Sequence, residues 1–343
     1  MRAMQLQQLG SVSRRGALLV CREVPEPSPG PGQVLIEVAV CGVCHTELDE
    51  IEGRLPPPHL PVIPGHQVVG RIIGVGEGVD RRRLNERVGV GWIASACGDC
   101  PACREGRENL CPEYTATGCD VDGGYAQRMV VDARFACPMP ETLDAAEAAP
   151  LLCAGAIGYR ALRLAALDNG EPLGLTGFGG SAHLVLQMAR HRYPDSPLYV
   201  FARNAAEREF ARQLGAHWTG HTHERPPRPP AAIIDTTPAW EPIVAALEYL
   251  APGGRLVVNA IRKERRDLEA LLGLDYPTHL WREKSLQSVA NVTRRDIVEC
   301  LALAAEIGLR PTVRCFDLED ANQALLELKT RAVRGAKVLR IGS

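Results

Sequence analysis

The chain has 343 residues, 45% hydrophobic and 23% charged, the make-up of an ordinary globular protein of about two domains. Lys and Arg number 39 against 41 Asp and Glu, a net charge of −2, which leaves no basic footprint for nucleic acid or an anionic membrane. No apolar run is long enough to span a bilayer. The opening "MRAMQLQQLG" lacks the apolar core of a secretory signal, and 12 cysteines in such a chain point to metal or catalysis in the cytoplasm rather than to disulfides.

The first stretch, "ALLVCREVPEPSPGPGQVLIEVAVCG", reads as strand, Pro/Gly turn and alternating strand. "CGVCHTELDE" follows, with Cys41 and Cys44 ahead of His45, Thr46, Glu47 and Asp49. By spacing alone it fits a redox pair, half a structural metal site or one corner of a catalytic one. "PGHQVVGRIIGVGEGV" and "ERVGVGWIA" add short Val- and Gly-rich strands, the pattern of a small β barrel or sandwich. "CGDCPACREGRENLC" spaces Cys97, Cys100, Cys103 and Cys111 as C-x2-C-x2-C-x7-C. Four thiolates from one compact loop close the tetrahedral shell of a structural zinc. An iron–sulfur run would bring the last cysteine closer, so zinc is favoured.

After "CPMPETLDAAEAAPLLCAGAIGYRALRLA" the chain turns Ala/Leu-rich, and from about 172 strands and helices alternate. The strands are "PLGLTG", "PLYVFAR", "AAIID" and "GRLVVNA"; the helices are "SAHLVLQMARH", "AAEREFARQLGA", which ends at Gly215, and "IVAALEYL". Such alternation implies a parallel, doubly wound sheet. "HERPPRPP" is expected to be an exposed loop, "KSLQSVANV" a last sheet strand, "RRDIVECLALAAEIG" a helix, and the closing "AKVLRIGS" a strand returning to the β-rich domain.

"LTGFGGSAHLVLQMARH" follows a strand and opens a helix, the setting a dinucleotide fingerprint requires. Gly177 permits the tight turn and Gly179 a close approach to pyrophosphate. Ala182 takes the third position, and Gly180 and Ser181 complete the cofactor-binding turn. The next strand ends in Ala202, Arg203 and Asn204 with no carboxylate at its tip. Arg203, with Arg208 a turn further on, suits a 2′-phosphate, so NADP(H) is favoured over NAD(H).

In chain order, "CGVCHTEL", "PGHQVVG", the four-cysteine lobe, "GGYAQ", "LLCAG" and "GFGGSAH" make the chain resemble the zinc-dependent medium-chain alcohol dehydrogenases over essentially its whole length. The resemblance implies a GroES-like, β-rich catalytic domain over 1–152, completed by 284–343, and a Rossmann cofactor domain over 153–283. It implies two zinc ions per chain, one structural and one catalytic on Cys44, His66 and Cys153, with Cys41 a small packed residue. Thr46 takes the place of the hydroxyl that holds the substrate oxygen, and Trp92 and Cys119 the substrate pocket. Two positions depart from the family: Gln67 stands where a Glu near the zinc is usual, and Asp49 where many relatives carry a proton-passing His. A carboxylate with a pKa near 4 is the poorer match to neutral pH. The expected activity is reversible hydride transfer between a primary alcohol, or aldehyde, and NAD(P) in a homodimer or homotetramer. A nicotinamide-binding reductase or sensor without zinc catalysis is the alternative.

Overall fold

The computed structural model describes residues 1–13, 16–330 and 335–342, so Ser343 of the expected closing strand lies outside the described residues. The chain divides into two compact units, Met1–Ala156 with Asn291–Ser343, and Ile157–Ala290. The first division falls inside the helix Ala154–Ala165. The second falls after Ala290 rather than at 283. The reason is that Ser285–Ser288 pairs in parallel with Arg255–Val258 and becomes the outermost strand of the second unit's sheet.

The first unit is built on a seven-stranded sheet around the long strand Gln33–Val43. Its Val34, Ile36 and Val38 join the core, Leu35 and residues 40–43 are buried as well, and Glu37 alone is exposed, the pattern of a strand covered on both faces. Arg128–Asp132 pairs with its first half and Ala336–Arg340 with its end, both antiparallel, and Val68–Val75 runs along the other edge. The C-terminal segment therefore closes the sheet begun near the N-terminus, and Leu325 and Leu339 share one core with Val34, Val68 and Val90.

The second unit is a six-stranded, wholly parallel sheet. Its order is Trp218–Gly220, Leu198–Phe201, Leu173–Thr176, Ala232–Asp235, Arg255–Val258, Ser285–Ser288. The order reverses beside Leu173–Thr176, the strand that feeds the Gly-rich turn, and such switch points are where open α/β sheets bind ligands. The strand Trp218–Gly220 is the one strand of this sheet that the sequence pattern did not single out, being three residues long and only half-buried. No helix among the described residues is long and apolar enough to cross a membrane.

Candidate metal centre and nucleotide turn

Cys44 sits where the strand Gln33–Val43 gives way to the helix His45–Ile51. Its sulfur accepts from Thr46 N–H at 3.3 Å, and Glu47 Oε2 accepts from Cys44 N–H at 2.8 Å, a capping box with sulfur in the place of a hydroxyl. The cap fixes the cysteine at the helix entry. His66 arrives from the segment just before Val68–Val75, and Cys153 closes the turn Ala149–Leu152. These three donors, from segments far apart in the chain, lie within 4.8 Å of one another.

The donor set fits a tetrahedral zinc. Bonds of about 2.3 Å to sulfur and about 2.0 Å to nitrogen place the two donor atoms about 3.5 Å apart, and Cys44 Sγ lies 3.6 Å from His66 Nε2. Burial and electrostatics agree. The facing Cys153 thiol, burial and Glu47 push the Cys44 thiol well above its ordinary range, the cost of gathering sulfur anions without a cation among them. Burial alone would push His66 down, but Glu47 and Cys44 hold it well above its usual value. Three protein donors leave the fourth position open, the arrangement of a catalytic rather than a structural zinc.

Glu47, to which the sequence pattern assigned no role, stands directly behind His66. Its Oε1 lies 2.6 Å from His66 Nδ1, with both side chains sealed from solvent. Burial opposes its ionisation, but His66 and the Cys44 N–H hold its carboxyl below the usual range. A carboxylate behind a histidine fixes the ring and its tautomer and strengthens the outward nitrogen as a ligand. The available signal was local: Glu47 stands three residues after the capping Cys44, at the capping-box position.

Asp49, expected to accept a proton, is buried and bound to Arg54 Nε at 2.5 Å. The Arg54 guanidinium thus pairs with the carboxylate at the position where the family often carries a proton-passing His. Gln67 is buried with its amide oxygen against Gly42, where a Cβ would meet it at 2.4 Å. Cys41 is wholly buried in the core, as expected of a packing residue. Trp92 is half-buried against Tyr114, with ring centroids 5.8 Å apart, and its Nε1 donates to Glu50 Oε1 at 3.4 Å. Cys119 is buried, and burial with Glu50 and Asp120 nearby pushes its thiol up to about 12.

The lobe brings Cys97, Cys100, Cys103 and Cys111 within 4.8 Å of one another. Cys97 Sγ is 3.9 Å from Cys103 Sγ and 3.5 Å from Cys111 Sγ, close to the separation of about 3.8 Å that two sulfurs adopt on one zinc. Backbone N–H groups of Cys100, Cys103 and Glu113 point at the sulfurs of Cys97, Cys100 and Cys111 at 3.4–3.5 Å. Four sulfurs with N–H donors behind them fit a closed structural zinc site.

In the second unit, Gly177 has φ 76°, and a Cβ there would press on Thr237 and Thr236 at 2.9 and 3.0 Å. A Cβ on Gly179 or Gly180 would meet nothing within 4 Å. Gly177 thus answers to the fold, whereas the backbone at 179–180 lies open to a ligand at the start of Ala182–Arg192, the cradle a dinucleotide phosphate requires. Ser181 Oγ accepts from Asn259 at 3.2 Å, and His183 Nδ1 pairs with Gly179 O at 2.9 Å. Asn204 caps the next helix through Ala206 N–H, Arg203 is exposed, and Arg208 folds back onto the carbonyls of Ala202 and Arg203 at 2.7 and 2.9 Å. Arg208 therefore braces the strand tip that carries Arg203. Asp235, buried between Thr176, Thr237 and Lys263, ties the neighbouring strand end to the same turn.

Residues 30–141 match the alcohol dehydrogenase GroES-like domain family. The chain is 41% identical over 320 residues to a probable alcohol dehydrogenase, AdhA, of Mycobacterium tuberculosis, covering 92% of this chain and 90% of that one. It is 32% identical over 334 residues to an alcohol dehydrogenase of Geobacillus stearothermophilus, covering 94% and 96%. The cobalt- and zinc-bound thermostable alcohol dehydrogenase of Pyrobaculum aerophilum superposes with a TM-score of 0.84 at 25% identity, over 99% of both chains.

Proposed function

The chain belongs to the zinc-dependent medium-chain alcohol dehydrogenases, and we propose that it transfers hydride reversibly between a primary alcohol, or its aldehyde, and NADP(H) at a zinc site made by Cys44, His66 and Cys153. The observation that carries this reading is the convergence of those three donors from separate segments, with Glu47 behind His66. A zinc ion held there supplies Lewis acidity to the substrate oxygen, and the nicotinamide supplies or takes the hydride.

The chain's own residues do the rest. Glu47 orients His66, and the capping box holds Cys44 at the helix entry. Thr46, two residues beyond Cys44 and 8% exposed, holds the substrate hydroxyl and passes its proton toward Asp49 or water. Trp92 and Cys119 line the pocket for the substrate carbon chain. Gly177, Gly179, Gly180, Ser181 and Ala182 seat the pyrophosphate, and Arg203, held by Arg208 and Asn204, meets the 2′-phosphate. The four-cysteine lobe holds a second, structural zinc.

Six of these cysteines serve metal, which supports a cytoplasmic setting. The exposed outer strand Ser285–Ser288, with Leu286 and Trp281 also exposed, supports a homodimer or homotetramer, because an uncovered sheet edge invites pairing. The test is alcohol-dependent reduction of the cofactor by zinc-loaded protein, compared with Cys44→Ala and His66→Ala. Both variants are expected to lose turnover while still binding nicotinamide cofactor; retained turnover would remove the zinc site from the mechanism.

A further inference from the structure

Glu50 is a buried carboxyl that this mechanism leaves unused. It is 1% exposed. Its Oε1 accepts the long bond from Trp92, whereas Oε2 is sealed from solvent with no hydrogen-bond partner among the described residues. Leaving a buried polar atom unmatched is costly, so such an atom calls for an explanation.

Its position supplies one. Glu50 follows Thr46 by four residues and Glu47 by three on the helix His45–Ile51, so it shares a helix face with each of them. Glu47 on that face reaches His66. Glu50 itself is close enough to His66 and Cys119 for their charges to interact, and it touches Trp92. It is not a ligand, since the convergent donor group comprises Cys44, His66 and Cys153. The carboxyl thus stands beside the metal centre, among the residues assigned to the substrate pocket.

Resting on the dehydrogenase reading, we infer that Glu50 reads a second hydroxyl on the substrate, which makes diols and hydroxyaldehydes the preferred class over plain alkanols and alkanals. A carboxyl accepts a hydrogen bond from a hydroxyl whether or not it carries a proton. A second substrate hydroxyl donates one, so the two match. An unbranched alkanol presents only C–H groups and leaves Oε2 unmatched. A site built to bond a substrate hydroxyl discriminates strongly against the analogue that lacks it.

The test compares kcat/KM for propylene glycol, trimethylene glycol and n-propanol in zinc-loaded wild type, Glu50→Leu and Glu50→Gln. Wild type is expected to favour at least one glycol. Glu50→Leu is expected to lower the glycol-to-propanol ratio by about ten- to hundredfold, the worth of one matched buried hydrogen bond. Glu50→Gln, whose amide oxygen also accepts, is expected to keep most of the preference, with zinc content and cofactor affinity unchanged in both variants. A wild type that favours n-propanol over both glycols, or a zinc-loaded Glu50→Leu with an unaltered ratio, overturns the assignment and leaves the dehydrogenase reading intact. A zinc-loaded wild type that oxidises none of the three and reduces none of the matching aldehydes overturns both.

Discussion

Replacing Glu47 by Gln isolates what the carboxylate behind His66 contributes. The two oxygens of Glu47 serve two donors, Cys44 N–H at 2.8 Å and His66 at 2.6 Å. An amide has one acceptor oxygen, so one donor must face an NH2 group. Both partners are sealed from solvent, and water cannot stand in for the lost acceptor. Losing one such buried partner costs about 1–3 kcal/mol. Outer-sphere losses of this kind weaken metal binding by about ten- to hundredfold, or about 1.4–2.7 kcal/mol. Chelator competition on protein carrying two zinc ions is the assay. One ion should become about ten- to hundredfold easier to remove in Glu47→Gln, while the ion in the cysteine lobe holds as in wild type. A variant that folds and keeps wild-type affinity for both ions would refute the orienting role of Glu47.

Gly179→Ala should weaken nicotinamide cofactor binding by about tenfold or more with little change in Tm, because its Cβ meets no protein atom; unaltered binding would take the phosphate away from this turn. Arg203→Ala should lower the preference for NADP over NAD by about ten- to hundredfold, the worth of a charged hydrogen bond. A wild type that prefers NAD would overturn that assignment. Burial pushes Glu52 up, but Lys329, Arg54 and the Val12 N–H hold its carboxyl down to about 2, against an ordinary 4.5. A lowered carboxylate pKa stabilises the fold above the ordinary value and loses that contribution as pH falls from about 4.5 to 2. Glu52→Gln should therefore cost about 1–2 kcal/mol at neutral pH, after allowance for solvent screening, and flatten the acid limb of a Tm-versus-pH curve. An acid limb as steep as wild type would contradict the ion-pair account.

Local patterns were legible in the chain. The cysteine lobe is a contiguous loop whose spacing is itself the geometry, and the Gly-rich turn declares its strand–turn–helix setting. Cys44, His66 and Cys153 were different, because their convergence depends on how Gln33–Val43, Val68–Val75 and the turn before Ala154 come together, and no spacing encodes that. They were reached through resemblance. Glu47 and Glu50 were missed because a carboxylate in a short acidic helix reads as a solvated charge; burial of that helix from Thr46 to Ile51 is a tertiary fact. Asp49 was read for its position in the family, and its pairing with Arg54, five residues on, was not foreseen. The division expected at 283 lay too early because the boundary was set just before "KSLQSVANV", the segment read as a last sheet strand, whose Ser285–Ser288 pairs with Arg255–Val258.

The most direct test of the central claim is zinc per chain in wild type and in Cys153→Ala, measured on protein purified without chelators. Two equivalents in wild type and one in the variant are expected, the remaining ion lying in the Cys97–Cys111 lobe. One equivalent in both, unchanged by added zinc, would contradict a metal centre on Cys44, His66 and Cys153.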